Sequence, residues 1–366
     1  MIGLYFYNIY QNIVVCYRFY KNLQHISNNF KQFKNYFEET INKIDYICSK
    51  CESLSSYNMF CKHLQDYKLR IIERLKQLEM ISNKTMSVNN LVNMGRIMSV
   101  YYDLYCGNDT EDLFEFTFQF NGYFDTLCGL NENIVSNKIN KAEYLDKKTA
   151  YCSIKNVYHP CVVGDVITNN VKLKNNIILT GPNAAGKTTL LKSTIVNILL
   201  AQQIGYGYFS KAAITPFDYI HCYINIPDTS SRDSLFQAEA RRCKNILDVV
   251  KNNPNKKHFC IFDELYSGTN PHEAISSAFS YLTFLCKNKN TKFILTTHFN
   301  RLCNLLEKNK SIKNLHMHTE IRDNIPIYKY KLAKGISKTK GGICVLEQLN
   351  YPKEILIQAT QTLNNI

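Results

Sequence analysis

The first part of the chain shows apolar residues at helical spacing, few glycines and no proline before about residue 145. The stretch YKLRIIERLKQLEMI places Leu69, Ile72, Leu75 and Leu78 on one stripe with charged residues opposite, which is typical of an amphipathic helix. The pattern predicts an all-α domain over residues 1–150.

The opening stretch MIGLYFYNIYQNIVVCYRFY is apolar enough to raise the question of a membrane span. Polar residues interrupt it at Asn8, Gln11, Asn12 and Arg18, and the tyrosines make it amphipathic. No cleavable export signal follows it. We therefore expect a helix buried in the protein, and no membrane partner.

After about residue 150 the pattern changes to short β-rich runs that alternate with helices. An α/β domain with helices packed on a central sheet is therefore predicted over residues 151–366. The predicted strands are NNIILT, YIHCYINI, KHFCIFDE, TKFILTTH and IPIYKYKL, and the predicted helices begin near Lys187, Asp233, Pro271 and Phe299.

A phosphate-binding motif follows the first of these strands. Gly181 and Gly186 have the spacing of a P-loop, and Lys187 and Thr188 come directly after. In such a loop the lysine reaches the β- and γ-phosphates of ATP and the threonine hydroxyl binds Mg²⁺. The predicted nucleotide-binding residues are Gly181, Pro182, Asn183, Ala184, Ala185, Gly186, Lys187, Thr188 and Thr189.

Two later strands end in residues that suit the same chemistry. Asp263 and Glu264 close a buried strand in FCIFDE, so Asp263 is predicted to bind the metal with Thr188, and Glu264 to polarise the attacking water. His298 ends the strand in FILTTHF and is predicted to contact the γ-phosphate or that water. The motifs together predict a P-loop ATPase with Glu264 and His298 as catalytic residues.

Charge and cysteine content change this picture only slightly. The net charge is +14, and residues 151–366 carry 27 Lys and Arg against 14 Asp and Glu, a surplus of 27 − 14 = +13. This surplus gives moderate support to a nucleic-acid partner, because bound phosphates also require cations. The 14 cysteines show no disulfide framework, which favours an intracellular protein. Cys48, Cys51, Cys61 and His63 have spacing that zinc could use, but free thiols are the better interpretation.

The order of these motifs resembles the ATPase domain of the MutS family. The resemblance is carried by YHPCV, TGPNAAGKTT, RDSLFQAEA, FDELYSGTNPHEA and TTHF, and it continues through YKYKLAKGISKTKGGICVLEQL. It implies ATP hydrolysis in a site shared by two subunits, in which Ser234, Phe236 and Glu239 form a signature segment that reaches the partner's nucleotide. It also implies DNA as a partner, and a homodimer or a heterodimer with another MutS-like chain. The first 150 residues resemble, more loosely, the helical core and lever of that family.

The sequence also departs from the family pattern. Arg232 or Asp233 replaces the glycine before the signature serine, Val166 stands where an aromatic residue stacks on adenine, and Ser267 replaces a basic residue. Ser234 also suits a helix N-cap, so both roles stay open. The N-terminal mismatch-sensing domain with its Phe-x-Glu wedge finds no counterpart here, and mismatch specificity is not expected.

Two alternatives remain. One is an ABC or SMC-type ATPase, although RDSLFQAEA lacks the glycines of that class's signature. The other is a nucleotide-gated interaction module of a repair assembly that hydrolyses ATP slowly.

Overall fold

A computed structural model describes residues 2–82, 91–162, 164–224, 234–322, 325–339 and 341–365. The chain divides into two compact units, residues 1–132 and 133–366. The division falls earlier than the boundary predicted near residue 150, because the strand Asn140–Tyr144 pairs with strands of the second unit.

The first unit is helical, as the sequence pattern predicts. Its helices are α1 (Ile2–Cys51), α2 (Asn58–Ser82), α3 (Leu91–Cys106) and α4 (Asn108–Val135), the last of which continues into the second unit. Ion pairs Lys34–Glu79 at 3.0 Å and Lys68–Asp45 at 2.6 Å show that α2 runs antiparallel to α1.

One set of buried residues of α1 and α2 recurs every seven positions, which is the repeat of a coiled-coil seam. They are Leu23, Phe30, Phe37 and Ile44 on α1, and Leu64, Ile71 and Leu78 on α2. The predicted stripe on α2 is therefore wrong in part: Leu78 is buried, but Leu69 is 67% exposed. A spacing of three does not follow a helix of 3.6 residues per turn for long, so the stripe rotates away from the seam.

The prediction of a buried helix at the start of the chain is also wrong. The segment is helical, but its apolar side chains are exposed: Ile2 is 77% exposed and Tyr5 66%, and the first buried side chain of α1 is Leu23. These side chains are exposed because α1 is longer than the helix that packs against it: α1 has 50 residues and α2 only 25. None of the described helices is apolar enough over a sufficient length to cross a membrane.

The second unit contains a large sheet that is parallel except at one edge. Its strand order is β11-β10-β4-β9-β8-β7, with β11 antiparallel to β10. The strands are β4 (Asn176–Thr180), β7 (Tyr219–Tyr223), β8 (His258–Asp263), β9 (Thr291–Thr296), β10 (Ile312–Arg322) and β11 (Ile325–Lys334). The predicted strands of this sheet are confirmed within the described residues, and β10 is an addition. The last two residues of YIHCYINI lie outside the described residues.

A smaller sheet lies in the same unit, with strand order β3-β2-β6-β1-β5. Its strands are β1 (Asn140–Tyr144), β2 (Cys152–Val157), β3 (Asn169–Lys172), β5 (Tyr206–Gly207) and β6 (Lys211–Ile214). These runs are short and mostly half-exposed, so their hydrophobic pattern gave no strand prediction.

Successive side chains of the large sheet enter two different cores, as the alternation of a β-strand requires. The helices of this unit are α5 (Lys187–Ile204), α6 (Leu235–Asn252), α7 (Pro271–Leu285), α8 (Asn300–Leu306), α9 (Gly341–Gln348) and α10 (Lys353–Asn365). Ile177 and Leu179 join a core with α5 and the small sheet, whereas Ile178 joins a second core with α6, α7 and α8. The sheet is thus covered on both faces, and its carboxyl edge is where β4, β8 and β9 end.

Candidate functional site

The loop between β4 and α5 has a backbone that repeatedly enters the left-handed region. The φ angles are +153° at Gly181, +61° at Ala184 and +91° at Gly186. A Cβ on Gly186 would also lie 3.1 Å from Cδ1 of Tyr330, so the backbone angle and this close approach both favour glycine there. The loop delivers the chain into the N-terminus of α5, where free backbone N–H groups favour an anion.

Lys187, at the start of α5, is a buried cation. Its side chain is only 5% exposed, and its Nζ contacts the carbonyl oxygens of Gly181 at 3.1 Å and Pro182 at 3.2 Å. Burial lowers the pKa of Lys187, although Glu264 and Asp263 oppose this shift. Within the described part of the chain no carboxylate comes within ion-pair distance of Nζ. The arrangement is suited to an anion that would complete the lysine's contacts.

Asp263 ends β8 beside Thr188 on α5. The Thr188 hydroxyl lies 3.0 and 3.2 Å from the two carboxylate oxygens, and the Thr296 hydroxyl donates to the same carboxylate from β9. Two neighbouring strands and a helix therefore fix one carboxylate and one hydroxyl side by side. These are hard oxygen donors of the kind that Mg²⁺ prefers.

Glu264 follows Asp263 with φ +55°, and its backbone N–H donates to Thr296 of β9. Its Oε1 lies 2.9 Å from Nε2 of His298, which follows the end of β9. Hydrogen bonding from His298 lowers the pKa of Glu264, against the effect of burial. The same Nε2 lies 3.2 Å from Nζ of Lys187. The structure thus places His298 between the two charged groups and pairs it with Glu264. Its contact with the γ-phosphate or the attacking water stays a prediction.

Ser234 caps helix α6 in a capping box. Its hydroxyl accepts from the N–H of Gln237 at 3.3 Å, and the Gln237 side chain accepts from the N–H of Ser234 at 2.9 Å. The capping role that the sequence left open is therefore present. Its role at a partner's nucleotide stays a prediction, and Arg232 and Asp233 lie outside the described residues.

Helix α6, which carries the predicted signature residues, is hydrogen-bonded to the loop that follows Glu264. Glu239, only 3% exposed, accepts hydrogen bonds from the N–H and hydroxyl of Ser267 and from the N–H of Gly268, at 3.0 to 3.1 Å. Phe236 packs against Tyr266 with ring centroids 5.7 Å apart. Ser267, which departs from the basic residue of the family pattern, is thus a hydrogen-bond donor to the signature glutamate.

A cavity of about 440 Å³ opens beside the loop and reaches Glu264. Its lining includes Asn183, Ala184, Gly186, Lys187, Thr188 and Thr189 from the predicted site, together with Val166. It also includes Tyr158, His159 and Tyr330, which the motifs did not predict as part of the site. Tyr330 is distant in sequence and could not be linked to the loop without the fold. Tyr158 and His159 belong to YHPCV, whose position ahead of the loop was the available signal.

The cysteine and histidine residues considered for zinc do not form a recognisable metal site. Across the described ranges, which contain Cys48, Cys51, Cys61 and His63, no group of three or more potential ligands could hold a metal ion. The His63 ring instead packs edge-on against Tyr67 and Phe116.

The fold and this site define a class of α/β protein in which a glycine loop and two acidic residues meet at the carboxyl edge of a parallel sheet. Comparison with known proteins identifies the family, because residues 177–366 match the family model described as MutS domain V. The chain belongs to the MutS family.

Individual relatives agree with this assignment. The DNA mismatch repair protein MutS of Persephonella marina is 30% identical over 218 residues, which cover 57% of this chain and 24% of the relative. The proteins of the same name from Clostridium tetani and Caldicellulosiruptor saccharolyticus are 28% and 30% identical, each over 66% of this chain and 28% or 29% of their own length. The chain spans less than a third of the length of these relatives.

Proposed function

We propose that the chain binds and hydrolyses ATP at the loop between β4 and α5. The buried Lys187 carries this proposal, because a desolvated ammonium without a carboxylate partner among the described residues is costly unless an anion approaches it. ATP supplies that anion through its β- and γ-phosphates, and the N–H groups of the loop and of α5 add to the attraction.

The geometry fits a nucleotide with Mg²⁺. The adjacent cavity of about 440 Å³ can take a ligand of this size, and Thr188 with Asp263 offers oxygen ligands within reach of the loop. Tyr158 and Tyr330 line the cavity and supply aromatic surface where Val166 cannot. Bound Mg²⁺ would neutralise the charge that develops on the phosphates during transfer.

Glu264 is the proposed group that orients and polarises the attacking water. Its carboxylate stays ionised because His298 donates to it and Lys187 lies nearby. We propose that His298 acts through this contact and holds Glu264 in place, while its Nε2 also lies within reach of Lys187.

For the whole protein we propose a dimer that acts on DNA. Relatives of this chain are named DNA mismatch repair proteins, and we extend DNA as the partner to this chain on that basis. The dimer is a homodimer or a pair with another MutS-like chain, and Ser234 is its proposed contact with the second nucleotide. Membership of the MutS family disfavours the ABC or SMC-type alternative. A slow, nucleotide-gated module remains the second candidate.

Replacing Lys187 with Ala tests the proposal. Loss of charge-assisted contacts should weaken ATP binding on the order of tenfold to a hundredfold in calorimetry. Lys192→Ala, on the same helix and half-buried, is the matched control and should bind ATP like the parent. Equal affinity of all three proteins would show that the loop is not the nucleotide site. Steady-state hydrolysis with and without duplex DNA then separates an ATPase from a slow module.

A further inference from the structure

The edge of the large sheet opposite the nucleotide site has a repeated charge pattern. Strands β10, β4, β9 and β8 are neighbours and parallel, so their amino ends lie along one edge. The residue two positions before each of these strands is a lysine, and all these lysines are exposed. In spatial order this lysine row consists of Lys310, Lys174, Lys289 and Lys256.

The loops that carry the lysine row are connected to one another. Asn175 donates to the carbonyl oxygen of Lys310 at 2.6 Å, and Nζ of Lys292 donates to that of Lys174 at 3.1 Å. Asn290 donates to the carbonyl oxygen of Asn255 at 3.4 Å. Because adjacent strands are about 4.8 Å apart, the row spans roughly 15 Å with its backbone positions fixed.

The charge of this edge is largely uncompensated. Lys257, Lys287 and Lys308 flank the row in the sequence, as does Glu307, and the Asp218 carboxylate accepts from the N–H of Lys257. Asp218 lies 3.6 Å from Lys256, but no described residue forms an ion pair with Lys174, Lys289 or Lys310. A fixed row of like charges repels itself and attracts an extended anion.

We propose that the lysine row binds the phosphate backbone of duplex DNA. This inference rests on the proposed action on DNA and adds a surface separate from the nucleotide site. Lysine is a point charge that contacts phosphate without the paired geometry needed to read a base, so binding is independent of sequence.

A single strand is the poorer fit, because stacking on bases requires free aromatic rings. The exposed ring of Phe284, close to this edge, has Lys251 and Lys287 over it, with Nζ 5.8 and 5.2 Å from the ring centre. The exposed ring of Tyr219, at the amino end of β7, already stacks on His258. An anionic membrane is disfavoured because the row itself carries no apolar side chain that could insert into lipid.

The test replaces the four lysines of the row with Gln in the full chain and measures binding to a short labelled homoduplex at several salt concentrations. Removing four phosphate contacts should reduce the slope of log K against log salt by roughly 3 to 4 and weaken binding at least about tenfold. The matched control changes Lys141, Lys148, Lys155 and Lys211, which are exposed on or beside the small sheet, to Gln. Both variants have the same net charge. The proposal is therefore supported only if the row variant loses duplex binding and the control variant keeps it.

The remaining outcomes are also decisive. Equal losses in the two variants, or a parent chain that binds no duplex at low salt, would overturn the lysine row as a DNA site. A row variant that keeps duplex binding but no longer binds anionic phosphatidylserine vesicles or polyglutamate would assign the surface to another polyanion. ATP affinity of the row variant, measured by calorimetry, should equal that of the parent. Failure of ATP binding in the parent would contradict the proposed ATPase without affecting the result for the row.

Discussion

At the residue scale, the candidate site is a set of five side chains linked by close contacts at the carboxyl edge of the large sheet. Lys187, Thr188, Asp263, Glu264 and His298 meet at one edge because β4, β8 and β9 are parallel neighbours. The contact of His298 with Glu264 depends on side-chain geometry across two strand ends, which spacing along the chain does not contain. Tyr330 was missed for a similar reason, since only the pairing of β10 with β11 brings it to Gly186.

Replacing Glu264 with Gln should separate binding from hydrolysis. The amide has nearly the same shape but cannot act as a base, so turnover should fall on the order of a hundredfold or more while ATP still binds. Glu273→Gln, on helix α7, is the matched control because its carboxylate contacts Thr269 and not the cavity. If the Glu264 variant hydrolyses ATP at the steady-state rate of the parent, Glu264 is not a catalytic residue.

At the element scale, the central strands β4, β9 and β8 were predictable because they are buried on both faces and therefore continuously apolar. β10 was missed because histidines, a threonine and charged residues interrupt IKNLHMHTEIR, and its burial is irregular. The heptad seam of α1 and α2 is present in the sequence, but the predicted stripe on α2 has a three-residue spacing and leaves that seam. The sequence pattern could not predict the length over which a partner helix covers α1.

The contact between α6 and the loop after Glu264 leaves no space at Gly268. A Cβ there would lie 2.7 Å from Cγ of Leu235 and 2.9 Å from the backbone N of Phe236. Gly268→Ala should therefore displace the start of α6 and destabilise the protein by about 1–3 kcal/mol, measured as the free energy of unfolding in denaturant. Gly342→Ala, on α9 with nothing within 4 Å of its Cβ position, should be neutral or slightly stabilising. Similar stability of the two variants would contradict tight docking of α6.

A histidine pair joins β7 to β8 and should make stability depend on acid. His258 is fully buried, its Nε2 lies 2.9 Å from the carbonyl oxygen of Asn253, and its Nδ1 lies 3.2 Å from Nε2 of His221. The buried Nε2 must donate to the carbonyl, so Nδ1 accepts from a neutral His221. Burial, the neighbouring His258 and Arg242 lower the pKa of His221 to about 4.

A lowered histidine pKa means that the folded state binds a proton less readily than the unfolded state. The stabilisation is therefore complete above the ordinary pKa of about 6.5 and is lost as pH falls towards 4. His221→Gln keeps a donor for His258 but does not titrate, so its free energy of unfolding should fall less between these pH values. His272→Gln, at an exposed histidine of α7, should follow the parent. Identical pH profiles of all three proteins would exclude the pair as the cause.

At the scale of the whole molecule, helical and α/β parts were predictable from the change in pattern near residue 150, but the boundary was not. Residues 140–144 look like a connection in sequence, and they become part of the second unit only through pairing with β5 and β6. The basic surplus was counted from sequence as well, whereas its arrangement as a row required the order of the strands. The dimer involves a second chain, and the prediction of a nucleotide site shared between the two chains rests on Ser234.

ATP should convert the Glu264→Gln variant from monomer to dimer if two chains share the site. A ligand that gains contacts only in the dimer shifts the equilibrium towards it, and this variant retains ATP. Light scattering with and without Mg·ATP measures the change. A further Ser234→Arg substitution should abolish the ATP-dependent dimer, because a long cation replaces a small hydroxyl at the proposed contact.

Ser234 also caps α6, so the loss of the cap must be separated from the loss of a contact between chains. Ser234→Asn removes the hydroxyl but supplies a side-chain oxygen that can accept from the N–H of Gln237, so the helix start stays capped. If the hydroxyl contacts the second nucleotide, the Asn variant loses the ATP-dependent dimer although its helix is capped. A dimer that persists in the Asn variant would assign the loss in the Ser234→Arg variant to the helix start. A Glu264→Gln chain that stays monomeric with ATP bound would instead favour the nucleotide-gated module, because nothing in such a chain would require a second copy.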